Sequence, residues 1–164
     1  MQGRVDFATN KPTAQSECYW SFKQIKDATA IMLGTKKNFE PFHAALAYDF
    51  WNTMGAAMEL QSLGGKDRET SLFTTTVMLK ALASAANVAE SIGQRHWRYA
   101  YQNLVWTRNS QDFTGRCICP KTGKLLANAD AVMLTSNLIL KTMQQKLDPV
   151  RASVERTFFP EVAA

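Results

Sequence analysis

The stretch GQRHWRYAYQNLVWTR, residues 93–108, holds three Arg, one His, two Trp and two Tyr in sixteen positions. Arginine guanidinium groups form bidentate hydrogen bonds with phosphate oxygens and stack on aromatic rings. Aromatic rings stack on nucleobases of any sequence, and each stacked base contributes about 1–3 kcal/mol. If side chains of these two kinds are exposed together, they have the chemistry to bind a nucleic acid.

A helix over residues 95–108 would divide these side chains between two faces, because successive residues on an α-helix lie about 100° apart. One arc is apolar and is predicted to face the core; it holds Trp97, Tyr101, Leu104 and Val105. The opposite arc is predicted to face solvent; it holds Arg95, Arg98, Tyr99, Gln102 and Trp106. An exposed Trp and Tyr beside two Arg are hard to explain by folding alone, so this arc is the candidate binding surface.

Positive charge is concentrated around the same stretch. Between residues 94 and 124, six basic residues accompany one acid, Asp112, which gives the segment a charge of +5. The rest of the chain has thirteen basic and thirteen acidic residues, so the whole net charge of +5 lies in this segment. Such a local excess can attract phosphate. We define the basic–aromatic strip as nine residues: Arg95, Arg98, Tyr99, Gln102, Trp106, Arg108, Arg116, Lys121 and Lys124.

Two other interpretations of the basic–aromatic strip remain open from the sequence. In the first, folding alone explains it: Trp106 packs beneath a hairpin, Tyr99 covers a helix junction, and the Arg side chains form a solvated face. In the second, the strip binds an acidic protein or another copy of the chain. Trp, Tyr and Arg are also the residues that dominate protein–protein interfaces, so composition does not separate a protein partner from a nucleic acid.

The candidate metal ligands do not have the spacing of known sites. Cys117 and Cys119 are separated by one residue, whereas paired zinc ligands have a gap of two to four, and two buried thiols explain them better. Glu40 and His43 have the Glu-x-x-His spacing of di-iron bundles, but those sites need a second such pair, and none occurs. The sequence therefore predicts no metal site.

No catalytic motif is complete. The Gly-Lys pairs at residues 65–66 and 123–124 lack the other residues of a phosphate-binding P-loop. There is no Gly-x-Ser-x-Gly sequence, and neither histidine has an evident nucleophile partner. We therefore expect a protein that is not an enzyme and that uses no cofactor.

Cysteine usage and hydropathy favour a cytoplasmic protein. Three cysteines, an odd number, argue against a disulfide framework and favour a reducing compartment. No apolar run approaches the ~18–20 residues of a membrane span. The first fifteen residues lack the apolar centre of a secretory signal.

Hydrophobic periodicity predicts an all-α fold: a five- to six-helix bundle with a small β-hairpin insertion near residues 113–126. Residues 1–14 are predicted to form an irregular N-terminal arm, and residues 15–160 a single helical domain. Helices are expected over residues 16–33, from residue 41 to about residue 62, and over 67–92, 94–108, 128–147 and 149–159. The third of these carries almost no charge and is the expected central helix.

The residues together favour a non-enzymatic nucleic-acid-binding or nucleoprotein-assembly subunit. It would contact the phosphate backbone of RNA or single-stranded DNA through the basic–aromatic strip, with weak sequence preference, as part of a larger assembly. A homo-oligomer is compatible with this role. The alternative is a protein–protein interaction or structural assembly module that uses the same face without nucleic acid. A metal-dependent enzyme is a distant third.

Overall fold

The computed structural model describes residues 4–9, 12, 16–34, 40–64, 67–88 and 93–160. Two short strands, β1 (Val5–Asp6) and β2 (Trp20–Ser21), pair in parallel. The helices are α1 (Phe22–Leu33), α2 (Pro41–Ala57), α3 (Asp67–Thr70), α4 (Thr76–Val88), α5 (Gln94–Asn103), α6 (Ala129–Thr142) and α7 (Pro149–Phe158). The predicted all-α bundle with a small β insertion is confirmed.

Helix α4 is the centre of the bundle and packs against both α1 and α6. Most of its side chains are buried, from Val77 to Ala85. A stretch with so little charge can be buried in the core, and its Ala residues let the neighbouring helices approach closely. The expectation of a nearly surrounded helix in this part of the chain is therefore confirmed.

The predicted single helix over residues 67–92 is interrupted. Helix α3 ends at Thr70, and the backbone then leaves the helical path, because Leu72 donates its amide hydrogen to the carbonyl oxygen of Trp106 (2.9 Å). Helix α4 begins after Thr75, whose Oγ1 accepts a hydrogen bond from the amide of Met78 (3.3 Å). The prediction of one continuous helix is wrong at this point, and its predicted end at Ile92 lies outside the described residues.

The ends of the other helices follow local capping chemistry. Helix α1 starts at Phe22 rather than near residue 16, because Ser21 and Gln24 form a reciprocal capping box. Pro41 opens α2 and Pro149 opens α7, as predicted. Asp148 accepts hydrogen bonds from two backbone amides at the start of α7.

The segment 113–126 folds back on itself through a turn at residues 120–123. Ile118 and Leu125 form an isolated antiparallel bridge. The amide of Cys119 donates to the carbonyl of Lys124 (2.8 Å), and that of Leu126 donates to Cys117 (2.8 Å). The chain therefore reverses where the hairpin was predicted, but its two arms form an isolated bridge and not regular strands. Among the described residues, the paired strands are β1 and β2.

A buried ion pair fixes this segment to the helices. Arg116 donates from Nη2 to Oε1 of Glu155 (2.6 Å) and from Nη1 to Oε2 (3.1 Å), and also to the carbonyl of Leu134 (2.7 Å). Both side chains of the pair are less than a tenth exposed. Burial raises the pKa of the Glu155 carboxyl, but hydrogen bonds and the charge of Arg116, with contributions from Asn137 and Lys141, outweigh this and lower it. Glu155 is therefore ionised at neutral pH.

A second buried arginine extends the network. Arg151 donates to Oδ1 of Asn137 (3.0 Å) and to Oγ of Ser84 (2.7 Å). Asn137 in turn donates to Oε2 of Glu155 (3.2 Å). The network therefore joins α4, α6, α7 and the segment 113–126 through directional bonds.

The substitution Glu155→Ala should lower the free energy of unfolding by about 3–5 kcal/mol, because it leaves the buried guanidinium of Arg116 without its counter-ion. Urea unfolding monitored by circular dichroism measures the change. The matched control is Asp27→Ala, which breaks the exposed Lys23–Asp27 pair (2.6 Å) on α1 and should cost less than about 1 kcal/mol. Equal losses in the two variants would contradict a special role for the buried pair.

Candidate nucleic-acid interface

Helix α5 presents four residues of the basic–aromatic strip to solvent. Its inner side is anchored by Trp97, which is buried and packs edge-on against Phe50 of α2, with ring centroids 5.8 Å apart. The outer side carries Arg95, Arg98, Tyr99 and Gln102, all exposed, and the Tyr99 side chain is 45% exposed. The predicted exposure of these four residues is confirmed.

Trp106 does not face solvent, so this part of the prediction is wrong. Helix α5 ends at Asn103 and Leu104 is extended (φ −126°, ψ 146°), so the 100° spacing does not reach residue 106. Trp106 is 7% exposed, stacks on Phe73 with centroids 4.7 Å apart, and donates from Nε1 to the carbonyl of Tyr101 (3.0 Å). The Trp106 ring also contacts the ring of Phe113, in the segment 113–126. This agrees with the interpretation in which Trp106 packs beneath the hairpin.

Arg116 and Arg108 are occupied by contacts within the protein. The buried Arg116 would have to give up Glu155 to reach a phosphate, so its predicted place on the binding surface is wrong. Arg108 is half-buried, and its Nη2 donates to the carbonyl of Arg68 (2.6 Å). The bond from Arg108 attaches the chain after α5 to α3.

Lys121 lies on the turn at residues 120–123 and Lys124 directly follows it; both are exposed, and neither belongs to α5. The turn is formed by the Pro-Lys-Thr-Gly sequence, as predicted, and Gly123 takes the left-handed conformation (φ 66°) that suits glycine. The structure therefore brings together four of the nine residues on α5, leaves two lysines exposed on the turn, and places three in internal contacts.

A cleft of about 390 Å³ adjoins the exposed face of α5. Its wall comes from α5 and from the residues that directly follow α6, and its lining residues are Arg95, His96, Tyr99, Met143, Gln144 and Gln145. Gln144 follows α6 in the left-handed conformation (φ 60°), which is uncommon for a residue other than glycine. Sequence reasoning missed the two glutamines because they lie about forty residues from α5 and no local pattern marks them.

The two cysteines of the segment 113–126 have different environments. Hydrogen bonds from the Thr122 side chain and from the backbone amides of Lys121 and Thr122 lower the pKa of the Cys119 thiol. Burial raises the pKa of the Cys117 thiol. Within the described ranges, no group of three or more His, Cys, Asp or Glu side chains is placed to hold a metal ion.

Of the helices in the described part of the chain, none is both long enough and apolar enough to cross a membrane.

Comparison with known protein families gives a match over most of the chain. Residues 1–146 match the family described as "DndB: DNA-sulfur modification-associated". No curated protein and no solved structure matches the chain. The matched range includes α5, the turn at residues 120–123 and the cleft, and it ends before α7.

Replacing Trp106 with Ala should destabilise the protein by about 3–5 kcal/mol, because it removes a buried ring and leaves a cavity between Phe73 and Phe113. Thermal or urea unfolding measures the loss. The matched control is Tyr99→Ala on the exposed face of α5, which should change stability by less than about 0.5 kcal/mol. A Trp106→Ala variant as stable as the wild type would show that the ring is not part of the core.

Cys119 should react with iodoacetamide before Cys117 near neutral pH. A lowered pKa gives Cys119 a larger fraction of reactive thiolate at a given pH, whereas Cys117 is both buried and protonated. Peptide mass spectrometry over a time course measures the two rates, with the denatured protein as the control in which they converge. Faster labelling of Cys117 in the folded protein would contradict the environments described here.

Proposed function

This chain belongs to the DndB family, and on that premise we propose that it is a non-enzymatic DNA-binding subunit of a DNA sulfur modification system. It contacts the DNA backbone through the exposed face of α5, formed by Arg95, Arg98, Tyr99 and Gln102. The observation that carries the proposal is the joint exposure of two arginines and a tyrosine on one helix face. The family description supplies the class of nucleic acid.

The charge of α5 supports a phosphate-contacting role. The helix holds two arginines and no acidic residue from Gln94 to Asn103. Neither Arg95 nor Arg98 is a partner in an ion pair within the described chain, so both guanidinium groups are available to phosphate oxygens. Lys121 and Lys124 add exposed positive charge on the turn that follows.

Backbone contacts of this kind position a protein on DNA without reading its sequence. We therefore propose weak sequence preference and a strong dependence of affinity on salt. Each phosphate contact releases counter-ions, so the slope of log K against log salt concentration is about −0.9 per contact. The two arginines of α5 alone would give a slope of about −2, and the two lysines would bring it to about −4 if all four make contact.

A second candidate is a protein–protein interaction module, and exposed apolar side chains on α2 favour it. Phe42 is 60% exposed, Leu46 is 52% exposed and Tyr48 is 71% exposed. Helix α5 packs mainly against α2. Phe42 and Leu46 lie about 40° apart on one side of α2, whereas Tyr48 lies on another side. Adjoining exposed apolar side chains often mark a contact surface, so the side with Phe42 and Leu46 is the one that would attach the subunit to the rest of a larger assembly.

The test is fluorescence anisotropy with labelled single-stranded DNA, duplex DNA and RNA across a salt series. The double variant Arg95→Ala/Arg98→Ala should bind DNA more weakly than wild type, and its salt slope should be shallower by about 2, since two phosphate contacts are lost. The matched control is Lys26→Ala/Arg156→Ala, which removes two exposed positive charges from α1 and α7.

The control pair separates local contacts from net charge. If both double variants weaken DNA binding equally, the effect comes from overall charge and α5 is not the interface. Absence of binding by folded wild-type protein at about 50 mM salt, where backbone contacts are strong, would reject autonomous DNA binding and favour the protein-interaction role. A clear preference for RNA would contradict the proposed ligand.

A further inference from the structure

We infer that the cleft between α5 and the end of α6 accepts a single unstacked nucleotide of the bound DNA. This inference rests on the proposed function and names the form of DNA that the site prefers. The cleft, about 390 Å³, falls within the ~300–1,000 Å³ range of sites that take a small molecule. It is therefore the size for one nucleotide and not for a duplex.

The lining of the cleft matches the parts of a nucleotide. Arg95 supplies a cation for the phosphate, and the half-exposed ring of Tyr99 supplies a flat surface for the base. Gln144 and Gln145 supply amide groups, which can donate and accept hydrogen bonds at the edge of a base. No carboxylate is among the six lining residues, so nothing in the lining repels an anion.

His96 adds an imidazole to the same lining. Its Nδ1 atom is buried and has no hydrogen-bond partner among the described residues. Most buried polar atoms in folded proteins are paired, so an unpaired nitrogen beside a cleft calls for an explanation. A nucleotide that reorders the imidazole on binding would provide a partner of the right chemistry.

The cleft is continuous with the proposed DNA-contacting face. Arg95 and Tyr99 belong both to the cleft lining and to the exposed face of α5, and they lie about 40° apart around the helix. Arg98 lies about 60° from Arg95 on the other side of the same face. A strand whose phosphates contact Arg98 and Arg95 would therefore pass the mouth of the cleft, where the next base can turn inward.

The wall formed by the residues directly after α6 is held in place by backbone hydrogen bonds to the last turn of that helix. The amide of Met143 donates to the carbonyl of Ile139 (3.0 Å), and that of Gln145 donates to Leu140 (2.9 Å). Gln144 lies between them in the left-handed conformation. The amide side chain of Gln144 is thus carried on a fixed turn, which favours a site formed before the ligand arrives.

A base that is already unpaired should enter the cleft most readily. Removing a base from an intact duplex costs stacking and pairing energy, and this cost is smallest for a bulged, mismatched or single-stranded base. A duplex with a single-nucleotide bulge should therefore bind about tenfold more tightly than the same duplex without the bulge, because the bulged base gains stacking and edge contacts in the cleft.

The substitution Gln144→Gly tests this with little risk to the fold. Glycine suits the left-handed conformation at this position, so the variant should fold at least as stably as wild type while losing the amide. We expect it to lose most of the preference for the bulged duplex and to keep the wild-type affinity for the intact duplex. The control is Gln61→Ala, which removes an exposed glutamine that does not line the cleft.

The measurement is competition anisotropy with a bulged duplex, its intact counterpart and a single strand. Equal affinity of wild type for the bulged and intact duplexes would overturn the inference while leaving the proposed DNA-binding function standing. A bulge preference that survives in Gln144→Gly, or that is lost equally in Gln61→Ala, would also overturn it. If the folded wild-type protein binds none of the three DNA ligands, the proposed function itself is rejected.

Discussion

The ion pair between Arg116 and Glu155 is the constraint on which the arrangement of the outer elements depends. A buried guanidinium must keep its counter-ion, because an unpaired charge in the interior is far more costly than any single apolar contact. Arg116 lies in the irregular segment 113–126, and Glu155 lies on α7. Their bond fixes a segment with almost no regular structure against α6 and α7. The family match ends at residue 146, so this support comes from beyond the matched range.

The end of α5 at Asn103 separates the two roles of the aromatic stretch. Before this point the helix keeps Tyr99 on the outer face, and after it the extended backbone carries Trp106 into the core beside Phe73. Arg108 then attaches the chain to α3 and to the residue after it, through the backbone carbonyls of Arg68 and Ser71. One short stretch of sequence thus supplies both an exposed basic face and the aromatic packing that stabilises it.

The exposed face of α5 and the adjoining cleft are open to solvent because of the position of α5 in the bundle. Helix α4 lies between α1 and α6 with more than half of its side chains buried, whereas α5 packs mainly on α2 and keeps one side in solvent. The cleft forms where that open side meets the end of α6. Basic, aromatic and amide groups from two distant parts of the sequence therefore meet at one edge of the molecule.

The sequence by itself determined the helical class, the starts of α2 and α7, the reversal near residues 120–123, and the exposed quartet Arg95, Arg98, Tyr99 and Gln102. These features follow from local signals: apolar spacing, proline, capping residues and turn chemistry act over a few positions. Only the tertiary structure decided that Trp106 and Arg116 are buried and that Gln144 faces α5. Those outcomes depend on partners tens of residues away, Phe73 and Glu155 among them, and a long-range contact leaves no periodic trace in a single sequence.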